Sequence, residues 1–528
     1  MLYDLITPNQ IEEKLKSRFA REGFLSLADL PHPSTLKDMD KAVDRIAKAI
    51  ENREKIVLIG DYDVDGIVST TLIKLFFNQI GVNLRWVIPN RFMDGYGLSM
   101  SIIEKITDYN LAITVDNGIS AFDASKKCKE YGIDLIITDH HIVPDKLPIA
   151  YAIVNQKQKE CQFPYKEICG AQIAWYLIAS LNKKLNTNIN IKSYLGLVSI
   201  AIIADMMPLL HINRAMVKAG LKLLPRDNLP AIKALVERLN KHELNADDIA
   251  FQIAPILNSA GRIKDAKYAV NFLLSDNIYD AKIRLEQLVE FNENRKAIEQ
   301  EITQEALNLV DPDDKVLVVN GDNWHEGVIG IVASRVGRIY KKPTIILTKG
   351  ESGDLKGSGR SFHICNLFEI TLKSRKLLNK FGGHHSAIGL SLPVQNLNEF
   401  KEELQINYLA QNYNENLVDL DILGALDFGY IDFNLINLLK QFEPYGQGNS
   451  RPKFITYDVI IEDVTNMGKE GEHKRFFFSK NGVYQQGVLF KTKENFCIGE
   501  RVNIIYTINE NHFNGRVSIQ LMIEEIER

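Results

Sequence analysis

The feature that most constrains the fold is an alternation of short β-branched runs and helical patterns between Lys55 and about Leu210. The runs are mainly apolar, in the order KIVLIG, LRWVIP, LAITV and IDLIIT, and helical patterns cover residues 67–79 and 121–131. Nearly continuous apolar strands joined by helices indicate a parallel sheet covered on both faces. Ligands of such sheets bind beyond the carboxyl ends of the strands, so functional residues are expected there.

At 528 residues the chain is too long for one hydrophobic core, because single cores stop growing near roughly 250–300 residues. Apolar residues at helical spacing among alternating charges, in AKIRLEQLVEFNENRKAIEQEITQEALNLV, predict a long, partly solvated helix that connects two domains. Short runs split by Gly and Asn turns near the end predict an all-β barrel. Six segments are expected in chain order: a helical lead-in (1–50), a parallel-sheet α/β domain (51–280), a connecting helix (281–310), a smaller α/β domain (311–395), a helical linker (396–450) and an OB-like nucleic-acid-binding barrel (451–528).

Three carboxylates at alternate positions follow the first predicted strand, in the motif Asp61-Tyr62-Asp63-Val64-Asp65-Gly66. The same pattern opens an EF-hand calcium loop. That alternative fails because Leu72 stands where the loop needs a bidentate Glu, and because a strand precedes the motif. At a strand end the carboxylates face the ligand crevice instead.

Three further acidic positions follow apolar runs: Asp116 after LAITV, Asp139-His140-His141 after IDLIIT, and Asp205 after LVSIAIIA. A single aspartate at such a place is more often a helix cap or a turn residue. Four clusters in equivalent positions argue against that explanation for the whole set. Carboxylates this close raise one another's pKa unless a cation neutralises them, so a metal site is predicted. Oxygen and imidazole ligands favour Mn²⁺ or Mg²⁺.

Composition narrows the class of protein. A hydrophobic content of 45% and a charged content of 25% are typical of globular chains, and the net charge of −4 means that any polyanion must be bound by local basic patches. The longest apolar stretch, Leu195 to Ala204, is far shorter than the roughly 20 residues that span a bilayer, so a cytoplasmic protein without a membrane partner is expected. Five scattered cysteines predict reduced, buried thiols rather than disulfides.

Several motifs resemble a known superfamily. GDYDVDG, VDNG, DHH and ADMMPL resemble the four motifs of the DHH phosphoesterases, in their order and approximate spacing, and GSGRS and GGHHSAIGL resemble the DHH-associated domain. PNRFMDGYGL, LNSAGRIKDA, WHEGVIGIVASRV and PYGQGNSRPKF are similar to segments of the RecJ family, bacterial exonucleases that degrade single-stranded DNA from its 5′ end. The resemblance covers nearly the whole chain, although in the terminal barrel it depends on the sequence pattern alone. Two features depart from the family. His385 stands where the family usually has a small or apolar residue, and the chain is somewhat short.

The resemblance implies a centre of two Mn²⁺ or Mg²⁺ ions, in which Asp116 bridges the ions and Asp61 is either a ligand or a partner of the ligands. It implies that His141 faces the scissile phosphate and acts with Asp139 and Asp116 in catalysis. Two such cations can share a hydroxide nucleophile and neutralise the charge that builds on the phosphate. The implied metal ligands are Asp61, Asp63, Asp65, Asp116, His140 and Asp205.

A second set of residues is implied to hold the substrate. Arg91 and Arg262 are assigned to loops, and Ser358 and Arg360 to a glycine-rich segment whose N–H groups can approach an anion. A lone loop arginine is more often a solvated charge, but the resemblance implies a pocket for a 5′-phosphate. His384 is either a substrate contact or a packed structural residue. The barrel offers four rings for base stacking, half of them expected in its core: Phe476, Phe477, Phe478 and Phe513.

The resulting hypothesis is a metal-dependent 5′→3′ exonuclease that hydrolyses single-stranded DNA to 5′-mononucleotides, in DNA repair and recombination. The implied partners are single-stranded DNA with a 5′ end, single-strand-binding protein and a helicase. One alternative is a DHH phosphodiesterase acting on short oligonucleotides or cyclic dinucleotides, which the additional barrel argues against. The other is an inactive DNA-binding scaffold, which the intact acidic motifs argue against. No Walker A motif is present, so an ATP-driven step is not supported.

Overall fold

The computed structural model describes residues 3–21, 23–350, 353–362, 365–411, 422–468, 471–492, 494–513 and 516–528, except for the side chains of residues 512 and 513. Within these residues, no helix combines the length and the hydropathy that a membrane span requires. Three regions follow one another along the chain, each built around its own sheet.

The first region contains one five-stranded sheet and most of the helices. Helix α1 (Pro8–Ser17) precedes this region in the chain but packs elsewhere. The elements of the first region are α2 (Met39–Glu51), β1 (Ile56–Ile59), α3 (Val64–Gln79), β2 (Arg85–Val87), α4 (Met100–Ile103), β3 (Leu111–Val115), α5 (Phe122–Glu130), β4 (Asp134–Thr138), β5 (Ala152–Val154), α6 (Gly170–Lys184), α7 (Leu195–Ala204), α8 (His211–Leu223), α9 (Pro230–Leu239), α10 (Ala246–Asp248), α11 (Ala254–Ile263) and α12 (Lys267–Leu273). The sheet order is β2-β1-β3-β4-β5, and every neighbouring pair is parallel. The predicted parallel sheet is therefore confirmed.

The apolar run before Asp205 forms a helix, whereas the runs before the other acidic motifs form strands. Residues 195–203 of α7 are all buried. A segment that is apolar all round has no periodicity by which helix and strand can be distinguished. α7 ends at the same edge of the sheet as the strands, and it brings Asp205 to within 3.6 Å of His140.

The helix predicted over residues 281–310 is observed as α13 (Ile278–Leu309), which has 32 residues. Leu285 and Leu288 near its beginning pack into the core of the first region, and Ile302 and Ala306 near its end pack into the second. One helix therefore sets the position of the two regions relative to each other.

The second region is a smaller mixed sheet with the order β6-β7-β8-β10-β9. Its elements are β6 (Leu317–Gly321), α14 (Ile329–Tyr340), β7 (Thr344–Lys349), β8 (Leu355–Arg360), α15 (Leu367–Leu372), β9 (Lys380–His384), β10 (Ala387–Leu392) and α16 (Leu397–Leu409). The glycine-rich GSGR segment lies inside strand β8. α16 falls within the predicted linker, yet its Phe400 and Leu404 are buried in this region's core.

The third region is a barrel made of β11 (Ile422–Ala425), β12 (Lys453–Met467), β13 (His473–Lys480), β14 (Val483–Leu489), β15 (Arg501–Phe513) and β16 (Arg516–Glu527), with helix α17 (Phe433–Lys440) beside it. Pairing of β12 with β15 closes the sheet, as the OB-like prediction requires. Ile11 and Leu15 of α1 pack into its core with Leu435 and Phe442, so the beginning of the chain stabilises its end.

The structure tests two predictions about which side chains are buried. Phe476 and Phe478 are buried in the barrel core and Phe477 is exposed, while the side chain of Phe513 lies outside the described residues. None of the five cysteines forms a disulfide, and three of them are buried, whereas Cys497 is exposed and Cys161 is half-buried.

Candidate active site

The first acidic motif lies where β1 turns into α3. The Asp63 carboxylate caps α3 by accepting the Gly66 N–H at 3.1 Å. A Cβ on Gly66 would lie 2.6 Å from the backbone of Asp61, so only glycine permits this turn. The motif's glycine is thus explained by a close backbone approach rather than by a calcium loop.

Asp65 is anchored by the beginning of a second helix. Its carboxylate accepts the N–H groups of Gly170 at 2.6 Å and Ala171 at 2.8 Å, both in the first turn of α6. A Cβ on Gly170 would lie 2.7 Å from the Asp116 carboxylate. The sequence motifs did not identify Gly170, because nothing local marks a glycine that is needed for a distant side chain.

Asp116 occupies the centre of the site. It follows β3 in a left-handed conformation with φ of 63°, and its N–H donates to the Thr138 carbonyl at 3.0 Å. Its carboxylate lies 3.2 Å from Nε2 of His140. Burial, followed by repulsion from Asp65 and Asp63, raises the pKa of Asp116 well above its usual range. A carboxylate that resists ionisation in this way is stabilised by a bound cation.

The candidate ligand atoms form overlapping groups, each within 4.8 Å. They are Asp61 with Asp63 and Asp116, Asp65 with His140 and Asp205, and Asp116 with His140 and His141. Asp116 belongs to two groups and contacts His140 of the third, which is the placement a bridging ligand requires. Buried carboxylate oxygens of Asp61, Asp116 and Asp205 have no hydrogen-bond partner among the described residues. The donor set therefore fits two hard divalent ions.

The pKa values of His140 and His141 are shifted in opposite directions. Burial lowers the pKa of His140 to about 4, which leaves a neutral imidazole able to bind metal. Burial also opposes a charge on His141, but its Nδ1 lies 2.7 Å from Asp139 Oδ1, and Asp139 raises the pKa of His141 to about 9. Tyr96, which the motif analysis did not select, places its hydroxyl 3.4 Å from Nε2 of His141.

The predicted substrate residues converge beside this centre, and of these five Arg91 alone lies in a turn. Arg262 lies in the last turn of α11, so its loop assignment was wrong: the local glycine suggested a turn where the chain continues as a helix. Arg360 ends β8, so the glycine-rich segment is part of a strand. Burial, and then Arg91 and Arg360, lower the pKa of Arg262 to about 10. The Arg91 guanidinium lies over the ring of Tyr62, 5.3 Å from its centroid. Three crowded guanidinium groups favour an anion between them.

Ser358 and His384 border the same pocket. Ser358 Oγ accepts from Arg360 Nη1 at 3.0 Å. His384 lies at the end of β9, and its pKa is lowered by burial and then by Arg360, His385 and His141. His384 is therefore close enough to Arg360 and His141 for their charges to lower its pKa.

The beginning of α14 completes the arginine pocket. A Cβ on Gly330 would lie 2.8 Å from Arg360 Nη2 and 2.9 Å from Ser358 Oγ, so the first turn of α14 contacts both side chains. The beginning of a helix attracts anions through its free N–H groups. The glycine-rich start of WHEGVIGIVASRV is the sequence signal for this helix terminus.

Comparison with known proteins agrees with this architecture. Models of the DHH family N-terminal domain, the DHHA1 domain and the RecJ OB domain match residues 55–202, 313–407 and 422–525. A Salmonella typhimurium protein named single-stranded-DNA-specific exonuclease RecJ is 33% identical over 96% of this chain and 93% of its own length. The chain belongs to the RecJ family.

Other RecJ proteins give the same result. The Bacillus subtilis relative of the same name is 33% identical over 94% of this chain, which spans 64% of that relative. The crystal structure of RecJ in complex with Mn²⁺ from Thermus thermophilus superposes with a TM-score of 0.81 and 26% identity, over 93% of this chain and 72% of the other. The crystal structure of an exonuclease RecJ bound to manganese covers 73% of this chain and 97% of its own, with 29% identity and a TM-score of 0.63.

Proposed function

We propose that this RecJ-family chain is a metal-dependent 5′→3′ exonuclease that hydrolyses single-stranded DNA to 5′-mononucleotides. One observation carries the proposal: Tyr62 stands in the chain between Asp61 and Asp63 of the acidic centre, and its ring lies under Arg91 of the arginine pocket. The pocket for a terminal phosphate is thus adjacent to the metal centre. A strand held there by its 5′-phosphate presents the next phosphodiester to the metals, and cleavage at that bond releases one nucleotide.

Each group has a distinct part in this reaction. The carboxylates of Asp63, Asp65 and Asp205, the imidazole of His140 and the shared Asp116 would hold two Mn²⁺ or Mg²⁺ ions. When bound, such ions would supply a hydroxide from water and neutralise charge on the phosphate. Asp61 completes the first ligand group. His141, kept protonated by Asp139, donates a hydrogen bond to a phosphate oxygen or to the leaving oxygen.

The strand end is bound by a separate set of side chains: Arg91, Arg262, Ser358, Arg360 and His384. The guanidinium groups and the α14 terminus provide charge-assisted hydrogen bonds to a 5′-phosphate. The barrel extends the path of the strand, which favours long DNA over cyclic dinucleotides. A cytoplasmic role in repair and recombination, with single-strand-binding protein and a helicase as partners, follows from the family alone.

The decisive experiment digests single strands labelled at the 5′ or the 3′ end with Mn²⁺ and identifies the first product. We expect immediate release of labelled mononucleotide from the 5′-labelled strand and gradual shortening of the 3′-labelled one. The reverse order would contradict the polarity, and cleavage confined to dinucleotides would establish the phosphodiesterase alternative. Binding without cleavage would establish the scaffold. Asp116→Asn serves as the inactive control.

A further inference from the structure

A basic groove runs along α8, where the first region, the N-terminal segment and the barrel region meet. Its larger part is a cleft of about 550 Å³ that includes Phe24, Lys218 and Lys222. A neighbouring cleft of about 180 Å³ also includes Lys218 and Lys222. Because the two clefts share these lysines, they form one surface, the junction groove, defined by Lys16, Phe24, Arg214, Lys218, Lys222 and Tyr445.

Three cations of the junction groove are not neutralised within the described part of the chain, whereas Lys16 pairs with Glu12 and the smaller cleft also contains Asp247 and Glu443. Arg214, Lys218 and Lys222 follow at intervals of four residues and therefore share one face of α8. None of the three has a carboxylate partner among the residues that the structure describes. Burial, and then repulsion from Arg214 and Lys222, lower the pKa of Lys218. A bound polyanion relieves such crowding.

An aromatic ring stands beside these cations. The side chain of Phe24 is 52% exposed, although its ring packs against Phe19 with the centroids 4.8 Å apart. The Arg214 guanidinium lies 4.9 Å from the Phe24 centroid and donates to the carbonyls of Gln441 at 3.0 Å and Glu443 at 2.8 Å. Arg214 thus holds the wall of the groove together, and Phe24 presents a fixed ring to solvent.

We propose that the junction groove binds a stretch of single-stranded DNA outside the catalytic cleft, with phosphates on Lys218 and Lys222 and a base on Phe24. Cations beside exposed rings hold single strands without reading their sequence. The groove crosses from the catalytic region to the barrel region over two clefts, which favours a polymer over a small anion. The identity of the nucleic acid rests on the proposed function.

The test measures equilibrium binding of a long single strand in EDTA, where hydrolysis cannot occur, at several salt concentrations. In Lys218→Gln/Lys222→Gln, we expect weaker binding and a slope of log K against log salt that is shallower by about 1.4, because each phosphate contact on a single strand contributes about 0.7. The control is Lys126→Gln/Lys129→Gln, which removes the same charge one turn apart on α5. The control is expected to bind like the unaltered protein.

A second variant separates stacking from charge. Phe24→Leu keeps an apolar side chain but removes the ring, and we expect at least about a fivefold loss of affinity with an unchanged salt slope. Unchanged affinity and slope in the lysine variant, or an equal loss in its control, would overturn the proposal. A competing result would also overturn it: the lysine variant loses binding of a synthetic Glu-rich peptide but keeps its affinity for DNA.

The two proposals fail separately. A strand of about 6 nucleotides is near the lower end of the length that one barrel contacts, so it is too short to occupy the catalytic cleft and the junction groove together. Its hydrolysis by the unaltered protein with Mn²⁺ therefore reports on the catalytic cleft alone. Absence of that hydrolysis would remove the exonuclease function and leave the binding result standing.

Discussion

At the scale of single residues, the site depends most on Asp116, which belongs to two of the three candidate ligand groups. In its proposed role Asp116 is a ligand shared by both ions, so Asp116→Ala is expected to lower the hydrolysis rate by more than about 100-fold at every Mn²⁺ concentration. Asp123→Ala, a change at an exposed aspartate in the first turn of α5, is the matched control. Rates and Mn²⁺ uptake would be measured together, and normal values of both would remove Asp116 from the centre of the mechanism.

His141 provides a prediction about pH. Its pKa is raised from 6.5 to about 9 against the effect of burial, chiefly by the hydrogen bond to Asp139, so the acid form is present below that pH and is lost as pH rises through it. Asp139→Asn removes the negative charge and moves the alkaline limb of the rate profile toward 6.5. Rates across this range provide the test. In His141→Gln the alkaline limb of the rate profile should vanish rather than move. If the limb does not move in Asp139→Asn, a group other than His141 titrates there.

At the scale of elements, the beginning of α14 is expected to affect how the arginine pocket binds the proposed 5′-phosphate. Gly330→Ala places a methyl group 2.8 Å from Arg360 Nη2 and 2.9 Å from Ser358 Oγ, so both side chains must move. One lost charge-assisted hydrogen bond costs about 1.5–3 kcal/mol. We expect the preference for a 5′-phosphate over a 5′-hydroxyl strand to fall at least about tenfold, and Arg360→Ala to have the same effect. Initial rates on both strands measure it, and equal losses on both would refute end sensing.

The barrel offers an outward face of aromatic side chains on two paired strands. Phe477 on β13 is 43% exposed and Tyr484 on β14 is 61% exposed, and they lie in nearby pairs of the β13–β14 register. Stacking contributes about 1–3 kcal/mol per base, so Phe477→Ala/Tyr484→Ala should weaken binding of long strands by at least about fivefold. Tyr279→Ala, on the exposed side of α13, controls for loss of a surface ring. Unchanged affinity would make this face a protein-docking surface.

At the scale of the whole molecule, contacts between the first two regions close the cleft at the arginine pocket. Phe92 meets His325 edge-on with the centroids 5.5 Å apart, and Arg262 donates to the Gly327 carbonyl at 3.3 Å. We expect this closed cleft to exclude a duplex unless its end unpairs, which costs about 1.4 kcal/mol per step. A 5′ overhang should therefore be trimmed at least about tenfold faster than a blunt duplex end. Equal rates would show an open channel.

The packing of the chain ends limits how the barrel can be removed. A protein that ends at Leu392 loses Phe400 and Leu404 from the core of the second region. A later end point leaves Ile11 and Leu15 of α1 exposed, because they pack into the barrel region's core. Surface substitutions on the barrel are therefore the cleaner test of its role.

The sequence by itself determined the elements whose signal is local. Alternating apolar runs predicted the parallel sheet, and regular spacing predicted α13, because side-chain periodicity follows from backbone geometry. Strand ends meet at one edge of a parallel sheet, so the motifs alone were enough to assign Asp61, Asp116 and Asp139 to one site. The roles of these residues as ligands and catalytic groups remain predictions.

Only the tertiary structure decided the features that depend on contacts distant in sequence. Residues 195–203 are apolar on every side, and burial against neighbouring helices makes them helical. Gly170 and Gly330 matter because of side chains that lie far from them along the chain, and no local pattern marks such a requirement. The junction groove likewise joins the N-terminal segment, α8 and the barrel region. Local periodicity specifies which faces of each element are apolar, but long-range packing chooses their partners and thereby creates the pockets.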